Sequence, residues 1–316
     1  MKKNILLAVV IILIGIAIYK LEPEETETKL TVSGLPEISS AAGFINTDKI
    51  SISELVGKKV ILVDFWTYSC INCQRTTPYL NAWYSKYKDS GFEIIGVHSP
   101  EFDFEKKYEN VVAAVEKFGI KYPVVLDNDM ATWDAFSNRY WPAKYLIDLN
   151  GKIVYTHFGE GDYDEGERAI QNALGMNGEI SSPENVTSVD FSKVGSPEVY
   201  FGSTRGKSIQ SETDPTSVEK NTAYLVGDWD FDYEFAENKS AAKIIYKYTA
   251  KNVYMVASSQ SEGLSIKIFK DGVLVKTLDI KSEQLYPLIE DSDYGEHTLE
   301  IQIDNPGLQA FTFTFG

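Results

Sequence analysis

Cysteine and histidine are scarce in this chain. Its 316 residues include two cysteines and three histidines, and the histidines at positions 98, 157 and 297 are far apart in the sequence. Two cysteines cannot form a zinc site alone, and the scattered histidines do not have the ligand spacing of one. Cysteine chemistry in this protein therefore depends on Cys70 and Cys73.

Basic residues are also few. The chain has 30 lysines and arginines against 46 aspartates and glutamates, which gives a net charge of −16. This balance argues against binding to nucleic acid or to an anionic membrane surface. The acidic residues are dispersed along the chain, which is typical of a solvated surface, and the sequence contains no internal repeat or low-complexity tract.

One long apolar run is present, at residues 5–19, and it follows Lys2 and Lys3. The run is short for a hydrocarbon core about 30 Å thick, but flanking lysines can extend to the interface. We interpret residues 1–20 as a signal-anchor helix and residues 21–34 as an acidic tether, with the bulk of the chain extracytoplasmic. The alternative is cleavage as a signal peptide, in which case residues 1–17 are removed and the protein is secreted.

Two domains are expected in the remainder of the chain. Strand and helix patterns alternate over residues 35–176, which predicts a central sheet covered by helices on both faces. A linker rich in Gly, Ser, Asn and Pro follows at residues 177–192. Residues 193–316 have short strand patterns without a helical period, including a hairpin turn at Asp271-Gly272, and predict an all-β sandwich or jelly roll.

The cysteines form a Cys70-x-x-Cys73 motif directly after a buried-strand pattern at residues 60–66, and a helical pattern begins just beyond Cys70. A cysteine at a helix N-terminus has its thiolate stabilised by unpaired backbone N–H groups and the helix dipole. The alternative is a structural disulfide, but closing so short a loop gains only about 2 kcal/mol in the chain-entropy model. The motif therefore predicts thiol–disulfide exchange.

Three further residues accompany the motif. Pro78 lies within the helical pattern and predicts a kink rather than an end. Pro142 follows Trp141 and precedes a strand pattern, which makes the Trp141–Pro142 bond a candidate cis peptide. Asp64 lies within the apolar strand, where burial would raise its pKa and suit it to accept a proton. The alternative for Asp64 is an acid at a strand end that reaches solvent.

Together these residues resemble the thioredoxin superfamily. Its fold is of the α/β class, with a central mixed sheet flanked by helices. The resemblance rests on Asp64-Phe65-Trp66, the cysteine pair, Pro78 and Pro142. It implies that Cys70 attacks the substrate disulfide and that Cys73 resolves the mixed disulfide. It also implies that Asp64 helps to deprotonate Cys73 and that Pro142 docks the substrate backbone.

Two additions resemble the extracytoplasmic TlpA/ResA-like branch of that superfamily. One is a lead-in segment at residues 50–59, expected as a hairpin, and the other is an inserted helix at about residues 109–118. The resemblance to this branch implies a buried glutamate on the strand after the active-site helix, which here would be Glu93. The alternative for Glu93 is an ordinary solvent-facing strand residue.

Longer strings resemble the extracytoplasmic part of DipZ-type proteins. They occupy residues 67–73, 96–102, 138–145 and 157–163. DipZ-type proteins usually carry a multi-helix membrane domain that relays electrons, and these 316 residues do not contain one. We therefore expect protein thiol or disulfide substrates and a separate membrane electron donor of the CcdA/DsbD type, with no cofactor beyond the Cys70–Cys73 disulfide. His157 and Glu160 are expected either in a loop beside Pro142 or as ordinary surface residues.

The function predicted from these features is reduction of extracytoplasmic protein disulfides. Residues 193–316 also resemble the carbohydrate-binding-like domain of DipZ-type proteins. Trp229, Phe231, Tyr233 and Phe235 alternate as on one strand face, either as a sugar-stacking surface or as core. An envelope- or carbohydrate-binding protein is thus one alternative, and a thiol peroxidase using Thr67 is another. The direction of exchange and the process served stay open among cytochrome c maturation, thiol repair and peroxide defence.

Overall fold

A computed structural model of the protein describes residues 34–181, 183, 186, 188–212, 215–261 and 263–316. The predicted signal-anchor and nearly all of the acidic tether lie outside these residues. Among the residues that are described, no helix combines the length and the apolar character needed to cross a membrane.

The first domain is built on a six-stranded mixed sheet with the order β1-β4-β3-β2-β5-β6. Strands β2, β3 and β4 are parallel, whereas β1, β5 and β6 each run antiparallel to a neighbour. The strands are β1 (Gly43–Ile45), β2 (Val60–Trp66), β3 (Phe92–His98), β4 (Val124–Leu126), β5 (Ala143–Ile147) and β6 (Ile153–Phe158). The helices are α1 (Ile52–Leu55), α2 (Ile71–Tyr87), α3 (Tyr108–Lys117), α4 (Ala131–Ala135) and α5 (Tyr163–Ala173).

Helices cover both faces of this sheet, as the sequence predicted. Every residue of β2 is buried, and its side chains alternate between two cores. Val60 and Leu62 pack with residues of α2, α3 and α5, whereas Ile61 and Val63 pack on the other face with α1 and α4. Even-numbered residues of β2 therefore point toward the face on which α2 lies.

The lead-in segment at residues 50–59 is not the expected hairpin but contains the short helix α1. Its N-terminal N–H groups have side-chain acceptors that stabilise a helical turn. Ser51 Oγ accepts from the Glu54 amide at 3.3 Å, and the Glu37 carboxylate accepts from the amides of Ile52 and Ser53 at 2.7 and 2.9 Å. Such capping offsets the unpaired donors of a helix end. The inserted helix is present as α3 (Tyr108–Lys117).

The second domain is all-β, but its described strands form one curled ten-stranded sheet rather than a two-sheet sandwich or jelly roll. The strands are β7 (Val199–Tyr200), β8 (Ile209–Glu212), β9 (Ala223–Val226), β10 (Trp229–Phe231), β11 (Ala236–Asn238), β12 (Ala242–Ser259), β13 (Leu264–Lys270), β14 (Val273–Ile280), β15 (Gln284–Ile303) and β16 (Leu308–Phe315). The Asp271-Gly272 hairpin turn is confirmed, with positive φ at both residues.

Two long strands explain why the sheet is continuous. The first half of β12 pairs with β9 and β15, and its second half pairs with β16 and β15. Register shifts between Ala250 and Asn252 and between Val253 and Tyr254 interrupt the β12–β15 ladder. Such bulges bend a strand and increase its twist, so one sheet can curl around a single core.

The row of aromatic residues in this domain does not lie along one strand. Trp229 and Phe231 belong to β10, but the chain turns before Phe235, and β11 begins after it. Trp229 packs against the core of the second domain, and Phe235 packs against Phe311 with ring centroids 5.2 Å apart. Phe231 and Tyr233 are exposed. The four rings therefore do not form the single face that the alternation predicted.

Candidate active site

Cys70 is the N-cap of α2, as the sequence predicted, and Pro78 lies inside that helix without ending it. The strand β2 delivers the chain to this point through a short turn at residues 67–69. Both cysteines are free thiols; Cys70 is partly exposed, whereas Cys73 is buried. Cys70 Sγ accepts a hydrogen bond from the Cys73 backbone amide at 3.3 Å. This donor and the helix dipole favour the thiolate of Cys70.

Cys73 lies behind Cys70, and its pKa is raised by burial, by its hydrogen bond with Cys70 and by neighbouring negative charge that includes Asp64. Asp64 is at an even-numbered position of β2, so its side chain points to the face that α2 covers. Burial raises the pKa of Asp64 to about 7, and Lys144 partly opposes that rise. A carboxyl with such a pKa can accept a proton near neutral pH.

Lys144 is a site residue that the sequence analysis missed. It lies on β5 directly opposite Asp64 on β2, and its side chain is buried. Burial lowers the pKa of Lys144, while Asp64, Cys73, Glu160 and Cys70 raise it through their charges. A lysine in an otherwise apolar strand, two residues after Pro142, was the signal that could have identified it.

The Trp141–Pro142 peptide bond is cis, as predicted. The Pro142 carbonyl accepts from the Gly159 amide at 2.7 Å, and Lys144 Nζ donates to the Gly159 carbonyl at 3.2 Å. The segment after β6 therefore lies beside the cis-proline, as expected. Glu160 in that segment pairs with Arg75 of α2, Oε2 to Nε, at 2.7 Å.

The expected neighbours His157 and Glu160 have different environments. His157 is not in the predicted loop but on the strand β6, opposite Lys144, and its Nε2 is 3.4 Å from the Glu160 carbonyl oxygen. Burial lowers the pKa of His157, with a further contribution from Lys144. Burial raises the pKa of Glu160 against the opposing effect of Arg75. Both residues border the site, and neither forms a hydrogen bond or an ion pair with Cys70 or Cys73.

Glu93 is buried on β3, as the resemblance implied and against the solvent-facing alternative, but it lies away from the two cysteines. In the parallel ladder Glu93 is opposite Ile61, three residues before Gly96, which is opposite Asp64. Three residues of strand correspond to about 10 Å. Glu93 instead pairs with Lys59, Oε2 to Nζ, at 2.6 Å.

The buried glutamate near the cysteines is Glu105, which follows β3 in a short 3-10 helix (Asp103–Lys106). Its Oε1 accepts from the amide and hydroxyl of Ser69 at 3.2 and 2.6 Å, and its Oε2 accepts from the amides of Glu101 and Phe102 at 2.6 and 3.1 Å. Burial raises the pKa of Glu105 to about 7. A carboxylate with four donors holds the turn that ends at Cys70.

Thr67, on which the peroxidase alternative depends, is fully buried. Its hydroxyl is 3.5 Å from Nε2 of His98. The pKa of His98 is lowered to about 3 by burial, so this imidazole is neutral. The contact gives the peroxidase alternative no support, since the hydroxyl of Thr67 is directed to a buried ring.

Comparisons with known proteins agree with this geometry. Residues 35–174 match the family described as Redoxin, and residues 196–316 match the family described as Thioredoxin like C-terminal domain. Protein DipZ of Mycobacterium bovis is 37% identical over 301 residues, which are 89% of this chain and 42% of that protein. Thiol-disulfide oxidoreductase ResA of Bacillus thuringiensis is 34% identical over 170 residues, which are 51% of this chain and 91% of that protein.

Among solved structures, a thiol:disulfide interchange protein of the thioredoxin family from Chlorobium tepidum is 22% identical. The match covers 44% of the present chain and 94% of the Chlorobium protein, with a TM-score of 0.39. The present chain spans less than half the length of the DipZ proteins that it matches. The chain belongs to the thioredoxin superfamily, in its TlpA/ResA-like branch of thiol–disulfide oxidoreductases.

Proposed function

We propose that this protein reduces disulfides of protein substrates outside the cytoplasm, using the Cys70–Cys73 dithiol, while its N-terminal segment tethers it to a membrane. The observation that carries the proposal is the difference in exposure between the two thiols. Cys70 is partly exposed at the start of α2, and Cys73 is buried behind it near the carboxyl of Asp64. This arrangement suits one thiol to attack and the other to resolve.

The reaction transfers two electrons from the dithiol to the substrate. The Cys70 thiolate attacks one sulfur of the substrate disulfide, forms a mixed disulfide, and releases the other sulfur as a thiolate that takes up a proton. Asp64 accepts the proton of Cys73. The Cys73 thiolate then attacks Cys70 Sγ, closes the Cys70–Cys73 disulfide, and releases the second substrate sulfur as a thiolate that takes up a proton.

The extracytoplasmic location is supported by the sequence of residues 1–20, in which Lys2 and Lys3 precede the apolar run. Each turnover leaves the cysteine pair oxidised, so continued reduction needs a dithiol donor. A membrane electron donor of the CcdA/DsbD type is the partner we propose. Fractionation of cells, with protease added to intact cells or spheroplasts, tests the location; protein protected in the cytoplasm would contradict it.

The reduction potential of the Cys70–Cys73 pair tests the direction of exchange. The full chain is equilibrated against dithiothreitol or glutathione, and the fraction of free thiols is measured. A value near that of thioredoxin, about −270 mV, supports a reductase. A value near that of DsbA, about −120 mV, would instead indicate an oxidant and overturn the proposed direction. Cys70→Ser is the control, since it cannot form the disulfide.

A further inference from the structure

A cleft of about 810 Å³ lies between the two domains, and Cys70 is one of its lining residues. Trp141 and Phe158 line it from the thioredoxin-like domain, whereas Tyr200 and Thr314 line it from the curled sheet. Its volume is within the range of specific ligand sites. The nucleophile therefore faces a space that has one wall from each domain.

The two walls are held together by an apolar contact and an ion pair. Phe311 of β16 packs against Phe102 and Phe104, with ring centroids 5.1 and 4.9 Å apart. Arg205 donates from Nη1 to Oε1 of Glu101 at 2.8 Å. Aromatic pairs of this geometry contribute beyond their buried area. The second domain therefore has a defined position over Cys70.

Residues 101–104, which contact the second domain, are also connected by hydrogen bonds to the turn at residues 67–69, through Glu105. Glu105 accepts hydrogen bonds from the amides of Glu101 and Phe102 and from the amide and hydroxyl of Ser69. Ser69 immediately precedes Cys70. The buried carboxylate of Glu105 thus contacts both Glu101, which lines the cleft, and Ser69, which precedes the nucleophile.

Exposed aromatic rings lie along the cleft. Tyr140 and Phe158 have exposures of 55% and 50%, and their ring centroids are 5.1 Å apart. Phe191, in the segment that leads into the second domain, is also 50% exposed and lines the same cleft. Large exposed rings around a nucleophile are suited to bind apolar side chains.

The charges described in the cleft are largely paired within the protein. Arg205 is bonded to Glu101 at 2.8 Å, and Arg139 lies 3.8 Å from Asp134. The pKa of the lining residue Glu198 is raised by burial, which favours its neutral form. A ligand with carboxylates therefore meets no unpaired arginine among these lining residues, and it faces the carboxyl groups of Glu101 and Glu198.

We infer that the two domains together bind an extended, uncharged polypeptide segment whose disulfide-bonded cysteine has apolar neighbours, with those neighbours held between Phe158 and Phe191. This inference rests on the proposed function and adds a substrate class to it. Cys70 attacks the peptide sulfur in the cleft, the other sulfur departs as a thiolate and is protonated, and Cys73 then releases the peptide thiol. The two electrons come from the protein dithiol, which is reduced before the test below and is oxidised to the Cys70–Cys73 disulfide by the reaction.

The test uses the reduced full chain and two linear peptides, each carrying one cysteine in mixed disulfide with 2-mercaptoethanol. One peptide has phenylalanine and leucine beside the cysteine, and the other has serine on both sides. Glutathione disulfide is the charged, low-molecular-weight probe. Second-order rate constants are measured by acid quench and divided by those for free dithiothreitol, so that the intrinsic reactivity of each disulfide cancels.

We expect the apolar peptide to react about tenfold faster than the serine peptide after this normalisation. Phe158→Ala and Phe191→Ala should each lower that ratio to roughly threefold or less, since each removes one aromatic wall. Phe231→Ala is the matched control, because Phe231 is 40% exposed in the second domain but does not line the cleft. It should leave the ratio unchanged.

A ratio near one for the unaltered protein would overturn the inference. So would glutathione disulfide reacting as fast as the apolar peptide, or a ratio that neither cleft variant lowers. In each of these cases the protein still reduces disulfides and the proposed function stands. A reduced protein that reacts with none of the three probes would instead contradict the proposed function.

Discussion

Asp64 and Lys144 lie directly opposite each other on the antiparallel strands β2 and β5, and both side chains are buried. Directly opposite residues of neighbouring strands share one face of a sheet. Here that face is the one covered by α2, and the charge of Lys144 also acts on Cys70 and Cys73. The buried carboxyl of Asp64 and the buried amine of Lys144 are thus cross-strand neighbours under α2, the helix that begins at the two cysteines.

Replacing Asp64 with asparagine should change how stability depends on pH. Burial raises the pKa of Asp64 from 3.8 to about 7, so the folded protein retains a proton that the unfolded chain loses near pH 4. The associated stability is present below about pH 4 and is lost as pH rises through about 7. Three pKa units correspond to about 4 kcal/mol. The free energy of unfolding of the reduced protein should therefore fall more between pH 4.5 and 8 than that of Asp64→Asn, as measured with urea. If the free energy of unfolding depended on pH in the same way in both proteins, the pKa of Asp64 would not be raised.

Replacing Lys144 with methionine should move the pH dependence of the resolving step. Lys144 lowers the pKa of Asp64 through its charge, so its removal should raise that pKa further. The pH midpoint for closing the Cys70–Cys73 disulfide should shift upward accordingly, in stopped-flow measurements on a preformed mixed disulfide. Lys152→Met is the control because Lys152 is exposed. An unchanged midpoint in Lys144→Met would show that the two charges are not coupled.

Replacing Glu105 with glutamine should destabilise the turn that carries Cys70. The carboxylate accepts four hydrogen bonds, whereas a glutamine amide places its own donors against some of those N–H and O–H groups. We expect a loss of about 2 kcal/mol in the free energy of unfolding and slower alkylation of Cys70 by iodoacetamide. The exposed Glu109→Gln is the control and should stay within about 0.5 kcal/mol of the unaltered protein. Equal stability and alkylation rates in Glu105→Gln would count against the positioning role.

Replacing Cys73 with serine should trap a mixed disulfide between Cys70 and a peptide disulfide substrate. The partly exposed Cys70 can still attack, but the buried thiol that releases the product is absent. Non-reducing mass spectrometry should show the adduct in Cys73→Ser and none in Cys70→Ser. Accumulation of the adduct in Cys70→Ser alone would reverse the roles of the two cysteines.

Much of the catalytic centre was predictable because its parts are neighbours in the sequence. The strand that ends at Trp66, the N-cap at Cys70 and the kinked helix beyond it follow from local patterns. The cis peptide before Pro142 was also predicted from a short motif. The position of Asp64 beneath α2 follows from the two-residue period of a strand once that strand is recognised.

Strand register and chain bending were not predictable from such local patterns. Glu93 and Glu105 both follow α2 in the sequence, but only the register of β3 against β2 shows that Glu93 lies near Lys59, and only the return of the chain after β3 brings Glu105 to Ser69. The strand pattern of the second domain predicted its β class correctly. The bulges in β12, which make one curled sheet from the expected two, depend on pairing with distant strands.

The amino-acid sequence thus carries the reactive dithiol and the fold of its domain, because backbone propensity, hydrophobic period and helix capping act over a few residues. The Asp64–Lys144 pair, the Glu105 anchor and the cleft over Cys70 join residues that are far apart in the chain. Their positions depend on how the sheets pair and how the two domains pack, since burial and charge act between neighbours in space.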